Sequence, residues 1–268
     1  MVSISIGNFD IAQIANSGQC FRMNPHKIKP NTYSLIAFGR YIEIEQNPGS
    51  NTVTFHGVTE KDFETIWTDY FDLQTNYSEI IHSVDSSDHF LMAAANFGRG
   101  IRILHQDLWE TIISFMISQN NNIPRIKRSI EILCETCGER KENFNGEPYY
   151  CFPTPDRLAD INNLAPARLG YRDQYIASFA QSIASGDIVL SDIRTKEQLL
   201  KIRGIGEKVA NCIYLFGLHN LGGFPVDVWM KRVIMEHYGG SFPADRYSEY
   251  AGVIQQYIFN YVIHKEGG

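Results

Sequence analysis

Lys208 and Asp227 are the two residues of this chain whose types and neighbours best suit covalent chemistry. Lys208 follows the turn Arg203-Gly204-Ile205-Gly206 in "LLKIRGIGEKVANCIYLF", where two apolar helical patterns meet. Glycines free the backbone there and keep bulk away, so amide N–H groups lie bare at a helix start, a place that suits a phosphate. The same helix dipole, with partial burial, disfavours a charged ammonium, and a neutral amine is a nucleophile able to form a Schiff base. Asp227, in "GGFPVDVWMKRV", follows a Gly-Pro loop and precedes an amphipathic pattern, which is an N-cap position. Backbone N–H groups keep such a carboxylate ionised, so it can also face a developing cation.

The elements that must position this pair are legible in outline. Residues 31–58 alternate as half-buried strands, "TYSLIAF", "RYIEIEQ" and "TVTFHGV", with "NPGSN" as a turn, which predicts an antiparallel meander. Thr59 with Asp62, then Phe63, Ile66, Trp67 and Tyr70, predicts a capped amphipathic helix. From there the pattern is helical: "LWETIISFMISQ", "PRIKRSIEILCETC", "TPDRLADI", "QYIASFAQSIASG", "TKEQLLKI", "EKVANCIYLFGL" and "VWMKRVIMEHY", with Pro124 and Pro155 suited to first turns. The fold class is α+β, a small N-terminal antiparallel sheet lobe plus two helical subdomains with a helix-hairpin-helix motif. The pattern itself gives a sheet lobe followed by a helical bulk.

With 268 residues and 44% hydrophobic content, the chain can bury a sizeable core. No apolar run is long enough to span a bilayer, and "MVSISIGNFD" has no basic flank, so a cytoplasmic protein without a membrane partner is expected, nucleoid-associated if bacterial. Five cysteines, an odd number, argue against a disulfide framework, and the Cys134-x-x-Cys137 pair reads as core packing. A net charge of −6 lowers the odds of a nucleic-acid partner, yet "IPRIKR", "ARLGYRDQY" and "KIRGIGEK" concentrate cations while residues 43–88 carry much of the acid. A local anion site fits that balance.

The hairpin segment together with "FPVDVWMKRV" resembles the helix-hairpin-helix, Gly-Pro-Asp signature of the base-excision DNA glycosylases, with the lysine of the bifunctional members. "SGQCFRM", "SFMISQNNNIPRI", "LGYRDQY" and "YAGVIQQYIF" resemble, in order, four segments of the 8-oxoguanine DNA glycosylases, over nearly the whole chain. The resemblance implies a monomer that excises 8-oxoguanine, preferably opposite cytosine, from damaged double-stranded DNA and then nicks the strand by β-elimination. It implies a finer division of the chain, 1–98 for the sheet domain, 107–208 for a helical domain ending in the hairpin, and 99–106 with 209–268 for the second helical domain. It implies Lys208 as nucleophile and Asp227 as its electrostatic partner. It assigns the Gly18 carbonyl to the N7 proton of the damaged base, Gln255 to its pairing edge, and Phe259 and Cys212 to its two faces. Asn120 would fill the vacated space, Arg125 and Arg172 would meet the orphaned cytosine, and Tyr171 would act as the wedge. Gly204, Gly206, Lys208 and Trp229 fall at phosphate contacts, and the carbonyls of Leu200, Ile202 and Ile205 at a structural monovalent or calcium ion. No cofactor is required for catalysis.

Trp229 stands where many relatives of the family have a phosphate-contacting histidine, and Arg203 where a hairpin proline is common. No four-cysteine cluster follows Asp227, so the iron–sulfur cluster of the endonuclease III relatives is not expected. Two rival readings are a monofunctional glycosylase for alkylated bases and a non-catalytic helix-hairpin-helix DNA-binding protein. Lys208 speaks against the first, and Lys208 with Asp227 against the second.

Overall fold

The computed structural model describes residues 1–265. The expected meander forms as β3 (Thr32–Ala37), β4 (Arg40–Glu45) and β5 (Thr52–His56), all antiparallel. Its register puts Leu35 opposite Ile42 and Ile44 opposite Phe55, all almost wholly buried, so one face of the sheet is apolar. The β3–β4 turn is Phe38-Gly39, with φ of 51° and 67°, the double left-handed geometry that matches strand twist in a two-residue hairpin. Two short strands extend the sheet at its edges, β1 (Val2–Ser5) on β5 and β2 (Met23–Pro25) on β3, giving the order β1-β5-β4-β3-β2. Neither is long enough to announce itself in sequence.

After Thr59, whose side chain accepts from the Asp62 N–H as expected, the helix over 60–70 contains a π-helical turn at Phe63–Trp67. That extra residue per turn brings Phe63, Trp67 and Tyr70 into the sheet's core beside Phe55 and Phe71. The second and larger core is helical. Tyr77, Ile80 and Leu91, on helices Tyr77–His82 and His89–Phe97, pack there with Val253, Ile254 and Tyr257 of the last helix, Ala251–Lys265. Apart from Phe21, which joins the helical core, and Leu104, which joins the sheet core, the packing boundary between the cores lies after about residue 71. The three-part division into 1–98, 107–208, and 99–106 with 209–268 stands as a proposal, its last residues, 266–268, lying outside those described.

The remaining helices that matter to the site are Leu108–Ser118, Ile123–Cys137, Arg172–Ala184, Lys196–Leu200, Glu207–Phe216 and Val228–Tyr238. Their starts follow the sequence signals. Thr195 forms a full capping box with Gln198, Pro124 sits in the first turn, and Asp107, Asn122 and Asp227 each accept a backbone N–H with the side chain. "TPDRLADI" is shorter than its pattern suggests, a single turn at Pro155–Leu158 followed by a 3-10 stretch at Ile161–Ala167. A small hairpin, β6 (Arg140–Glu142) with β7 (Pro148–Tyr150), packs on the sheet lobe, the Tyr149 hydroxyl donating to the Gly39 carbonyl at 3.2 Å.

Candidate active site

The hairpin turn is built as a glycine turn must be. Gly204 has φ of +90°, and a Cβ there would stand 2.6 Å from the Tyr175 ring, so both backbone strain and contact exclude a side chain. Gly206 differs. Its φ is −99°, and a Cβ would meet nothing within 4 Å, so nothing inside the protein demands glycine there. As N-cap of Glu207–Phe216 it leaves the first amides of that helix without a side-chain acceptor. Bare amides at the positive end of a helix dipole attract an anion.

Lys208 is the second residue of that helix, half-buried, its Nζ 5.7 Å from the centre of the Phe115 ring. Asp227 caps the next helix, its Oδ1 accepting the Met230 N–H at 2.8 Å. The two side chains line a small cavity with Gly18, Cys212, Gln255 and Phe259, so six residues picked out from distant segments of sequence meet in one place. They also line an open groove of about 600 Å³ with Asn120, Gly206 and Trp229. Lys208 and Asp227 thus stand on the rim between an inner pocket and an outer channel.

The pocket's other groups follow from their elements. Gly18 leaves the helix Ile11–Asn16 with φ of +77°, and the Phe259 ring edge lies 3.5 Å from where its Cβ would be. Cys212 lies one turn beyond Lys208, and burial, opposed by the Lys208 ammonium, pushes its thiol up to about 11, which keeps it a neutral packing surface. Gln255 is buried, and its Oε1 accepts from Gln256 Nε2 at 3.0 Å. The cavity measures about 50 Å³, far below the roughly 300 Å³ of a pocket that encloses a small ligand.

Around the groove the three asparagines divide their work. Asn121 donates to the Ile117 carbonyl and Asn122 caps Ile123–Cys137, while Asn120, with φ of +46°, is exposed and donates to the Tyr171 hydroxyl at 3.4 Å. Tyr171 is 51% exposed, a large ring left in solvent at the mouth of the site. Arg125 is exposed on the first turn of its helix. Arg172 is 7% exposed, and its guanidinium donates to the carbonyls of Leu169, Gln119 and Asn120. The two arginines assigned alike from sequence thus stand in opposite settings, one free in solvent and one bracing the Asn120 loop.

Leu200, Ile202 and Ile205 lie in the hairpin as expected. The Ile202 carbonyl accepts the Ile205 N–H at 3.1 Å, and a carbonyl's second lone pair stays open for a cation. Among the described residues no group of three or more His, Cys, Asp or Glu side chains is placed to hold a metal ion. No helix of the described residues is long and apolar enough to cross a membrane.

Sequence reasoning missed several residues at the site. Ser17, Phe115, Phe216, Pro225 and Gln256 complete the pocket, and Lys231 faces the groove. Gln119 was quoted only as part of a motif, yet its Nε2 donates to the Gly204 carbonyl at 3.0 Å and ties the Asn120 loop to the hairpin. The pair Gln255-Gln256 was the available signal for Gln256, since two adjacent amides on an otherwise apolar helix are expensive to bury unpaired.

Fold and site together define a helix-hairpin-helix protein with an amine and a carboxylate at the mouth of a pocket, and comparison with known proteins places it. The profile of the HhH-GPD superfamily of base excision DNA repair proteins matches residues 113–251, and that of the 8-oxoguanine DNA glycosylase N-terminal domain matches residues 1–112. The chain belongs to the HhH-GPD superfamily, in the branch that carries the 8-oxoguanine glycosylase N-terminal domain. Its structure is similar to that of MBOgg1 in complex with a low affinity DNA ligand, with a TM-score of 0.91 and 35% identity over 99% of this chain and 96% of that one. The Clostridium acetobutylicum 8-oxoguanine glycosylase/lyase, in complex with DNA holding cytosine opposite 8-oxoG, gives a TM-score of 0.89 and 33% identity over 96% of this chain and 93% of that one. The N-glycosylase/DNA lyase of Saccharomyces cerevisiae is 37% identical over 52% of this chain, a match that spans 42% of the yeast protein.

Proposed function

We propose that this chain is a bifunctional DNA glycosylase and AP lyase that excises 8-oxoguanine, preferably opposite cytosine, from duplex DNA. The observation that carries the reading is the position of Lys208 and Asp227, which line both the inner pocket and the open groove. A nucleotide with its base in the first and its backbone in the second presents its sugar C1′ to both side chains.

The base must first leave the stack. Asn120 enters the gap, Tyr171 holds the step open from its exposed position, and Arg125 donates to the orphaned cytosine with Arg172 behind it. The Gly18 carbonyl accepts the N7–H that distinguishes 8-oxoguanine from guanine, Gln255 meets the pairing edge, and Cys212 and Phe259 lie on the two faces. Phe259 must turn from Gly18 to admit the ring, because a cavity of about 50 Å³ is too small for it. The amides after Gly206, with Gly204, Lys208 and Trp229, take the adjacent phosphates, and the Leu200, Ile202 and Ile205 carbonyls hold a structural cation.

The Lys208 amine, once its ammonium has given up a proton, forms a bond to C1′ as the C1′–N9 bond breaks and the base leaves with its electron pair. Asp227 has one oxygen committed to Met230 and turns the other to the cation that develops on the sugar. Ring opening gives a Schiff base, loss of a C2′ proton expels the 3′ phosphate, and water returns the lysine. The reaction needs no cofactor, and the chain acts as a monomer in the compartment that holds the DNA.

Single-turnover base release from duplexes containing 8-oxoguanine, an alkylated adenine or undamaged guanine tests the assignment. Release of 8-oxoguanine alone is expected. Preferred release of alkyladenine would move the chain to another substrate class of the same superfamily.

A further inference from the structure

Gln256 carries one of the few buried side-chain atoms among the described residues that lack a hydrogen-bond partner. Its Oε1 is unpaired, although the residue is only 4% exposed and lines the pocket with Gln255, Gly18, Cys212 and Phe259. Its Nε2 is committed to Gln255 Oε1 at 3.0 Å. A buried acceptor left open costs free energy unless something fills it, and this one borders the cavity where a base is to bind.

The two amides act as one unit. A lone glutamine turns its amide over and offers a donor or an acceptor as the ligand requires. Here the bond between the amides consumes one donor and one acceptor, which leaves the pair, lining the cavity together, with the Gln255 NH2 and the unpartnered Gln256 oxygen for a ligand. A guanine-type pairing edge is complementary to that set, with O6 as acceptor and N1–H and the 2-amino group as donors. An adenine-type edge has the opposite order, an exocyclic amine at position 6 and an acceptor at N1. Against adenine, donor faces donor and acceptor faces acceptor.

We infer that Gln256 is a base-reading residue, whose Oε1 accepts from N1–H and the 2-amino group of the extruded base while its Nε2 fixes Gln255 as the donor to O6. The inference rests on the substrate reading above and adds a second reader to it. It makes recognition of the pairing edge a property of the Gln255-Gln256 pair rather than of Gln255 alone.

The test is the ratio of single-turnover excision of 8-oxoguanine to that of 8-oxoadenine, each opposite cytosine, a ratio that does not depend on how much of a variant is folded. Wild type is expected to favour 8-oxoguanine by about 10-fold or more, the discrimination of one mismatched polar contact. Gln256→Met removes both amide groups at similar size, frees Gln255 to turn over, and is expected to bring the ratio within about 3-fold of unity. Gln256→Glu keeps an acceptor toward the base but loses the donor that fixes Gln255, and is expected to retain only the part of the preference that the Gln256 oxygen reads. A preference that survives in Gln256→Met overturns the inference, and loss of preference in Gln256→Glu as well reduces Gln256 to a support for Gln255. A wild type that releases neither base yet nicks a preformed abasic site would instead overturn the substrate reading, and the inference with it.

Discussion

The side chain of Gln119 donates to the main-chain carbonyl of Gly204 at 3.0 Å, across 85 residues of sequence. That bond joins the loop bearing Asn120 to the Gly204 turn of the hairpin, and Arg172 holds the same loop through the Gln119 carbonyl. The loop proposed to fill the DNA gap and the turn proposed to grip the backbone are thereby tied to each other.

Gln119→Ala should uncouple them. Loss of this bond is expected to cost about 1 kcal/mol of stability. Hydrogen exchange should quicken both at 120–122 and at 204–208, and base release should slow more than cleavage of a preformed abasic site. Faster exchange in only one of the two segments would show that the bond does not couple them.

Asp227→Asn should leave the fold almost intact, because asparagine caps a helix as well as aspartate does, while excision falls by roughly 100-fold or more as the charge facing the sugar cation disappears. Thermal unfolding and single-turnover excision, measured on the same preparation, separate the two roles. Near wild-type excision would leave Asp227 with capping alone.

The arginines should part company. Arg125 is exposed, so Arg125→Ala is expected to change stability by less than about 0.5 kcal/mol and to lower the preference for cytosine opposite the lesion by about 10-fold or more. Arg172→Ala leaves three carbonyls without their donor and is expected to cost about 2 to 3 kcal/mol. Equal losses of stability in the two variants would contradict the contrast drawn from their settings.

Stability should also depend on pH through Glu110. Burial raises its carboxyl from the usual 4.5 to about 7, against the opposing pull of Arg22. A group whose folded value is raised contributes stability that is complete below the unfolded value and is lost as pH climbs through the folded one. The melting temperature of wild type should therefore fall between about pH 5 and pH 8 more steeply than that of Glu110→Gln. Parallel curves would mean that Glu110 titrates normally.

Much of this was legible in the chain because the signals are local. The meander shows in alternation over 31–58, the hairpin in Gly204 and Gly206, and the caps in Thr59 and Asp227, each a contact within four residues. What stayed hidden is what only packing decides. β1 and β2 are 4 and 3 residues long and exist because the meander's edges accept them. Helix His89–Phe97 looks like an appendage of the sheet lobe in sequence, yet it buries Leu91 against the last helix. Arg125 and Arg172 are indistinguishable as letters, and only burial separates the free cation from the brace. Gln119 and Gln256 are ordinary polar residues until their partners, Gly204 and Gln255, are seen.

The central claim is that Lys208 makes the covalent bond to the sugar. Borohydride reduction of the protein mixed with an 8-oxoguanine:cytosine duplex tests it most directly, with the adduct located by peptide mass mapping. The account predicts a trapped complex with wild type, modified at Lys208, and none with Lys208→Gln although that variant still binds the duplex. A full yield of adduct with Lys208→Gln, or a wild-type adduct mapped to the α-amine or to Lys231, would contradict it.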